Sequence, residues 1–146
     1  MPSEGVHLVT DASERADAIA VRRAVFVDEQ GVPESVELDG NDDDATHFVA
    51  YDADGEPVGA ARLRTIDDDT GKVERVAVLA EHRGEGWGRR LLTAVEATAR
   101  YRGLADLVLH SQTHVEEFYR ELGYETVGEE FEEAGIPHVE MRTRLA

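Results

Sequence analysis

The stretch that most limits how this chain can fold is His82 to Leu92, HRGEGWGRRLL. Gly84, Gly86 and Gly88 fall two apart, so the backbone there either turns through conformations closed to other residues or lies against something that excludes side chains. Residues 72–79 (KVERVAVL) precede the run and read as a strand. Behind it, Trp87, Leu91, Val95 and Ala99 recur every fourth residue with Leu92 beside them, which predicts a helix over 86–102 with one buried face. Residues 105–110 (ADLVLH) read as a buried strand. If the helix is a crossover, the two strands are parallel neighbours, and the rest of the fold has to be built around that unit.

On the N-terminal side, residues 6–9 read as a short strand. Thr10 or Asp11 can cap a helix to about Val27, with Ala16, Ile19, Ala20, the stem of Arg23 and Val27 as its apolar stripe. Residues 28–44 hold Gly31, Pro33, Gly40 and many acids and read as a long loop with at most a helical turn. Strands at 47–52, 58–66 and 72–79 form an antiparallel meander, the first two joined by the Asp-Gly turn at 53–57. On the C-terminal side, Val115, Phe118, Tyr119 and Leu122 mark a helix over 113–122, with Gly123 as its C′ residue. Strands at 124–127 and 138–144 follow, joined by an acidic linker around 129–135. The expected class is α+β: one domain over 1–146, with a mixed, mostly antiparallel central sheet flanked by helices.

Apolar residues make up 41% of the chain, enough for a packed core. No stretch approaches the ~20 apolar residues of a membrane span, and the N-terminus lacks the pattern of a signal peptide. No membrane association is expected, and the location expected is cytoplasmic. Cysteine is absent, which removes disulfides, thiolate metal sites and a cysteine nucleophile. The formal net charge is -17, and Lys72 is the sole lysine among fifteen basic residues. Acidic runs such as 42–44 and 67–69 read as solvated surface in a halophilic protein, because at about 1 M salt charges are screened beyond ~3 Å. Neither run has EF-hand spacing, so no metal is expected, and the charge disfavours nucleic acid as a partner.

Glycines opening a helix bare N–H groups that bind anions, and Arg83, Arg89 and Arg90 concentrate positive charge there. Close packing of a tight turn would explain the same glycines without a ligand. Arg83-x-x-Gly86-x-Gly88, preceded by Arg75-Val76-Ala77-Val78, resembles the acetyl-CoA motif of the GNAT superfamily of N-acetyltransferases. About thirty residues on, Phe118-Tyr119-Arg120-Glu121-Leu122-Gly123-Tyr124 is similar to that family's tyrosine helix. VRRAVFVDEQGVP, His47 and EEAGIPHVEM further resemble its ElaA-like and YjcF-like branch.

The resemblance implies a GNAT-like fold and an acetyl-CoA-dependent N-acetyltransferase acting on a primary amine. It places the pyrophosphate on the loop of Arg83, Gly84, Glu85, Gly86, Trp87, Gly88 and Arg89. It places the pantetheine arm along the backbone of Val76, Ala77 and Val78. Gln112 stands where many relatives carry a cofactor-contacting asparagine. Tyr119 is the expected acid toward the leaving thiolate, a phenol and an alkyl thiol having similar pKa values. It also lies on the apolar stripe of its helix and could serve the core alone. Glu74 is the expected base, acting through water and pointing opposite to Arg75, although a solvated strand carboxylate is the simpler reading. His47, His110, His114 and His138 are further proton acceptors.

Without cysteine, direct attack in a ternary complex is expected. Glu29, Glu34, Glu37 and Asp39 in the 28–44 loop would favour a cationic acceptor, either a small molecule or a protein lysine. Many relatives dimerise through sheet edges, so a homodimer is in keeping with the resemblance. Two other functions fit the same residues: a non-catalytic acyl-CoA-binding or sensing module, and, from a faint likeness at 22–29, another acyl transfer of the acyl-homoserine-lactone synthase kind.

Overall fold

The computed structural model describes residues 2–145. Its elements are β1 (Gly5–Leu8), α1 (Ala12–Arg22), α2 (Glu34–Glu37), β2 (Thr46–Tyr51), β3 (Pro57–Thr65), β4 (Thr70–Val78), α3 (Trp87–Tyr101), β5 (Asp106–Gln112), α4 (Glu116–Glu121), β6 (Glu125–Glu133) and β7 (Ile136–Arg144). Seven strands form one sheet in the order β1-β2-β3-β4-β5-β7-β6. Only β4 and β5 run parallel, joined through α3 as the crossover requires. The fold is the mixed, mostly antiparallel sheet flanked by helices that the sequence implies. No helix among the described residues is long and apolar enough to cross a membrane.

The main core lies on the α3 face of the sheet. Trp87, Leu91, Leu92, Val95 and Ala99 pack there against Leu63, Val73, Leu107, Leu109 and Met141. A smaller core lies on the opposite face, where α1 sets Ala18, Val21 and Val25 against Val49, Tyr51, Ala60 and Ala77. The buried stripe of α1 is therefore not the expected one. Ala16, Ala20 and Arg23 are exposed, whereas Arg22 is buried. A reading by apolar spacing skips Arg22, because only its acidic partners make burial of its charge possible. The chain leaves α1 as a π-helical stretch, Arg23–Glu29, in which the N–H of Gln30 donates to the carbonyl of Val25. Such stretches are frequent at functional sites, and this one ends at the cavity described below.

Two acidic segments differ from expectation. The loop at 28–44 is clamped: Arg22 bonds Glu37 and Asp42, and Arg62 bonds Asp39, Asp42 and Glu74. Asp42 is thus a partner of two buried arginines and not solvated surface. The linker at 129–135 is also not a loop. It completes β6 and turns directly into β7 through Ala134 (φ 53°) and Gly135 (φ 74°), a two-residue turn whose positive φ values match the twist of a hairpin.

Candidate active site

β4 and β5 share a ladder only from Thr70↔Asp106 to Val73↔Leu109. Beyond it Arg75 takes a positive φ of 56° at a bulge against β3, while β5 continues alongside β7 as far as Gln112↔His138. The two strands separate, and residues 76–78 lose their partner on the β5 side. A bulge beside a functional site commonly redirects a strand in this way. The split opens into a cavity of about 870 Å³ lined by Val76, Ala77, Val78, Arg83, Gly84, Gly86, Gly88, Gln112 and Tyr119, among others.

The glycine run meets this cavity where α3 begins. Gly86 is the N-cap in a left-handed conformation (φ 88°) and gives no side-chain cap. The first intrahelical bond reaches Gly86 from Arg90, which leaves the N–H groups of Trp87, Gly88 and Arg89 outside the ladder. Gly84 also has a positive φ, 82°, and a Cβ at either Gly84 or Gly86 would meet open space within 4 Å. These two glycines shape a cradle of free N–H groups, which suits an anion such as a pyrophosphate. Gly88 has a different reason: its Cβ would lie 3.0 Å from the Phe118 ring. Close packing, the ligand-free explanation, accounts for that glycine.

The side chains of the loop have separate partners. Trp87 is core, Arg90 stacks over its ring at 4.3 Å, and Glu85 bonds the indole Nε1. Arg83 makes a two-pronged pair with Glu29 at 2.7 Å and donates from Nε to the Val78 carbonyl. Arg89 is exposed and makes no salt bridge among the described residues. Gln112 is joined to Gln30 by two hydrogen bonds between their side-chain amides, of 2.8 and 3.3 Å, a link from β5 to the end of the π-helical stretch that the sequence does not signal.

Tyr119 reaches the same cavity from α4. It is buried against Phe118 and Tyr124, and burial pushes its pKa well above the ordinary phenol value. The hydroxyl therefore stays protonated, while the same burial makes it a weaker acid than the free phenol whose pKa matches that of a thiol. Glu74 is placed differently from expectation. It bonds Arg62 and Arg64 and lies 3.6 Å from Lys72. Burial alone would raise its pKa, but the Arg64 bonds and the nearby cations hold it below the ordinary 4.5. A carboxylate so neutralised is a weak proton acceptor. Nor does it point away from Arg75, because the positive φ there breaks the strand alternation and Arg62 and Arg75 share Asp39. The acids of the 28–44 loop are likewise engaged: Glu37 by Arg22 and Arg75, Asp39 by Arg62 and Arg75, Glu34 by Arg23.

Of the histidines, His47 is buried outside this cavity, its Nε2 on the Asp42 carbonyl, and burial lowers its pKa. His110, His114 and His138 line the cavity. No group of three or more His, Asp or Glu among the described residues could hold a metal ion.

A family model described as an acetyltransferase (GNAT) domain matches residues 7–145. The chain is 43% identical to the uncharacterized N-acetyltransferase YjcF of Bacillus subtilis over 126 residues, 86% of this chain and 89% of that protein. It is 34% identical to ElaA of Escherichia coli over 140 residues, 92% and 90% of the two chains. The ElaA crystal structure superposes with a TM-score of 0.82 at 29% identity, covering 94% of this chain and 99% of that one. An aminoglycoside 6'-N-acetyltransferase complexed with coenzyme A shares the fold at a TM-score of 0.78 and 16% identity, over 97% of each chain. The chain belongs to the GNAT acetyltransferase family, in the branch that includes YjcF and ElaA.

Proposed function

We propose that the protein transfers an acetyl group from acetyl-CoA to a primary amine by direct attack in a ternary complex. What carries this reading is the meeting, in one cavity, of a strand with a free edge, a cradle of free N–H groups and the Tyr119 hydroxyl. The pyrophosphate lies on the N–H groups opened by Gly84 and Gly86 and ending at Arg89. The pantetheine arm pairs with the exposed edge of residues 76–78. Arg83 exchanges part of its pair with Glu29 for the phosphates, and Gln112 gives up its link to Gln30 on contact with the cofactor.

The amine nitrogen attacks the thioester carbonyl, and a backbone N–H near Val78 receives the oxyanion that builds up. Collapse breaks the C–S bond, and Tyr119 gives its proton to the departing thiolate. The chain has no cysteine to carry the acetyl group between two half-reactions. Initial rates measured against both substrates should give intersecting lines, and parallel lines would contradict direct attack.

Gly86→Ala tests the cradle. A Cβ there meets no clash but forces a left-handed conformation on a residue that resists it, at about 1–2 kcal/mol. If the backbone relaxes to avoid that strain, the N–H groups turn from the cavity. Acetyl-CoA affinity should fall by about tenfold or more in calorimetric titration. Gly103→Ala, with a positive φ of 78° at the far end of α3, provides a comparably strained control and should leave that affinity alone.

A further inference from the structure

With Glu29, Glu37, Asp39 and Glu74 each paired to an arginine, Glu133 is the cavity-lining acid left without an arginine or lysine partner among the described residues. α1 covers β2, β3 and β4 on its face of the sheet. Further along the same face, cross-strand pairing sets Gln112, His138 and Phe131 in one row and His110 beside Glu140 in the next. Their neighbours Leu109, Val139 and Met141 point the other way, into the α3 core.

His138 is 7% exposed and lines the cavity together with Tyr119. Its Nδ1 lies 2.7 Å from the Ile136 carbonyl oxygen. A carbonyl only accepts, so Nδ1 carries the proton and the lone pair of the neutral ring is on Nε2. Among the described residues Nε2 makes no hydrogen bond, and the Glu133 carboxylate lies 3.7 Å from it. Both groups that orient the ring come from one short turn, because Glu133 and Ile136 are the closing pair of the β6–β7 hairpin. Phe131 stacks on the ring at 6.0 Å. Glu133 and Glu140 pair only with histidines, His110 lying 3.3 Å from the first and 3.4 Å from the second. Among the described residues no arginine or lysine pairs with either acid.

We propose that this hairpin is the acceptor site, that it takes the amine as a cation, and that His138 Nε2 removes its proton. The proposal rests on the transferase reading. The acceptor's ammonium donates to Glu133 and to Nε2, with Glu140 adding negative charge. Its first proton passes to Nε2, leaving a neutral amine and a ring bonded on both nitrogens, to Ile136 and Glu133. The amine forms the C–N bond. The second proton leaves the nitrogen as the C–S bond breaks, and by way of water it replaces the one Tyr119 gives to the thiolate. The ring then returns its proton to solvent. The net products are the amide, free CoA thiol and one proton.

The test uses the full chain at high salt, with spermidine, glucosamine and Nα-acetyl-lysine amide as acceptors. For the acceptor turned over best, His138→Gln should lower kcat/KM by about 10²-fold or more, the usual share of a general base. It should also remove the acid limb from the pH profile. The groups that face this ring and could shape that profile are Glu133 on β6, His110 on β5, Glu140 on β7 and, across the cavity, His114 and Tyr119. Acetyl-CoA affinity should be unchanged, which also shows that the variant folds. Glu133→Gln alters a half-exposed side chain and does not threaten the fold. It should raise KM for the amine about tenfold, the usual size of a charged hydrogen bond, while kcat falls much less. A wild-type pH profile and kcat/KM in His138→Gln would overturn this proposal alone. If the wild type binds acetyl-CoA and acetylates none of the amines, the transferase reading fails and this proposal falls with it.

Discussion

Replacing Arg62 with alanine will destabilise the fold by about 3–5 kcal/mol, the typical cost of removing one partner from a buried ionic network. Arg62 is fully buried, and its guanidinium bonds Asp39 at 2.8 and 3.0 Å, Asp42 at 2.9 Å and Glu74 at 3.0 Å. Without it three carboxylates converge on a low-dielectric space with too little positive charge, and the clamp that holds the 28–44 loop against β3 and β4 opens. Chemical denaturation at neutral pH measures the loss, and a change below about 1 kcal/mol would mean that water replaces the guanidinium at little cost.

Acid titration should show the same network. Burial opposes ionisation of Asp39, Asp42 and Glu74, yet the arginine bonds outweigh it, and each pKa in the folded protein lies below its ordinary value of 3.8, 3.8 or 4.5. Depressed carboxylate values stabilise the fold fully above those ordinary values, and the contribution is lost as pH falls through the folded ones. Wild-type stability should therefore decline below about pH 4, and in Arg62→Ala, whose carboxylates are less depressed, the loss over that range should be smaller.

Tyr119→Phe should lower kcat by about 10²–10⁴-fold, the range of a general acid. The ring is core, packed edge-on against Phe118 and Tyr124, so phenylalanine preserves its contacts, its shape and the fold. Burial raises the pKa of the hydroxyl, which has no hydrogen-bond partner among the described residues. Removing it leaves no polar partner stranded, and acetyl-CoA affinity should hold. Thermal melting and calorimetric titration separate the chemical loss from a structural one. Unchanged turnover would return Tyr119 to a packing role.

Those two residues also show what can be read from a sequence like this one. The burial of Tyr119 is legible because the apolar stripe of its helix is a local pattern, while its part as an acid is read from the family resemblance. The same holds for α3 and its buried face. Arg62 and Arg22 are not legible. Each reads as an exposed charge until tertiary pairing explains its burial, and that pairing joins α1 and β3 to a loop about twenty residues away from each. The bulge at Arg75 is hidden because nothing in RVAV announces a positive φ, and it misdirects the alternation used to aim Glu74. The β6–β7 hairpin is obscured by its acids: Glu129, Glu130, Glu132 and Glu133 suggest a solvated linker, yet an edge strand tolerates them on its exposed positions. Gly88 carries a second constraint that the motif does not announce, since its Cβ would lie 3.0 Å from the Phe118 ring.

The most direct test of the central claim follows CoA thiol release from acetyl-CoA in the wild-type protein at high salt, with and without a primary amine, while mass spectrometry counts the N-acetylated product. The account predicts release that depends on the amine and matches the product one for one. Tight binding of acetyl-CoA with no amine-dependent release across polyamine, amino-sugar and lysine acceptors would contradict it and would make the protein an acyl-CoA-binding module on the same fold.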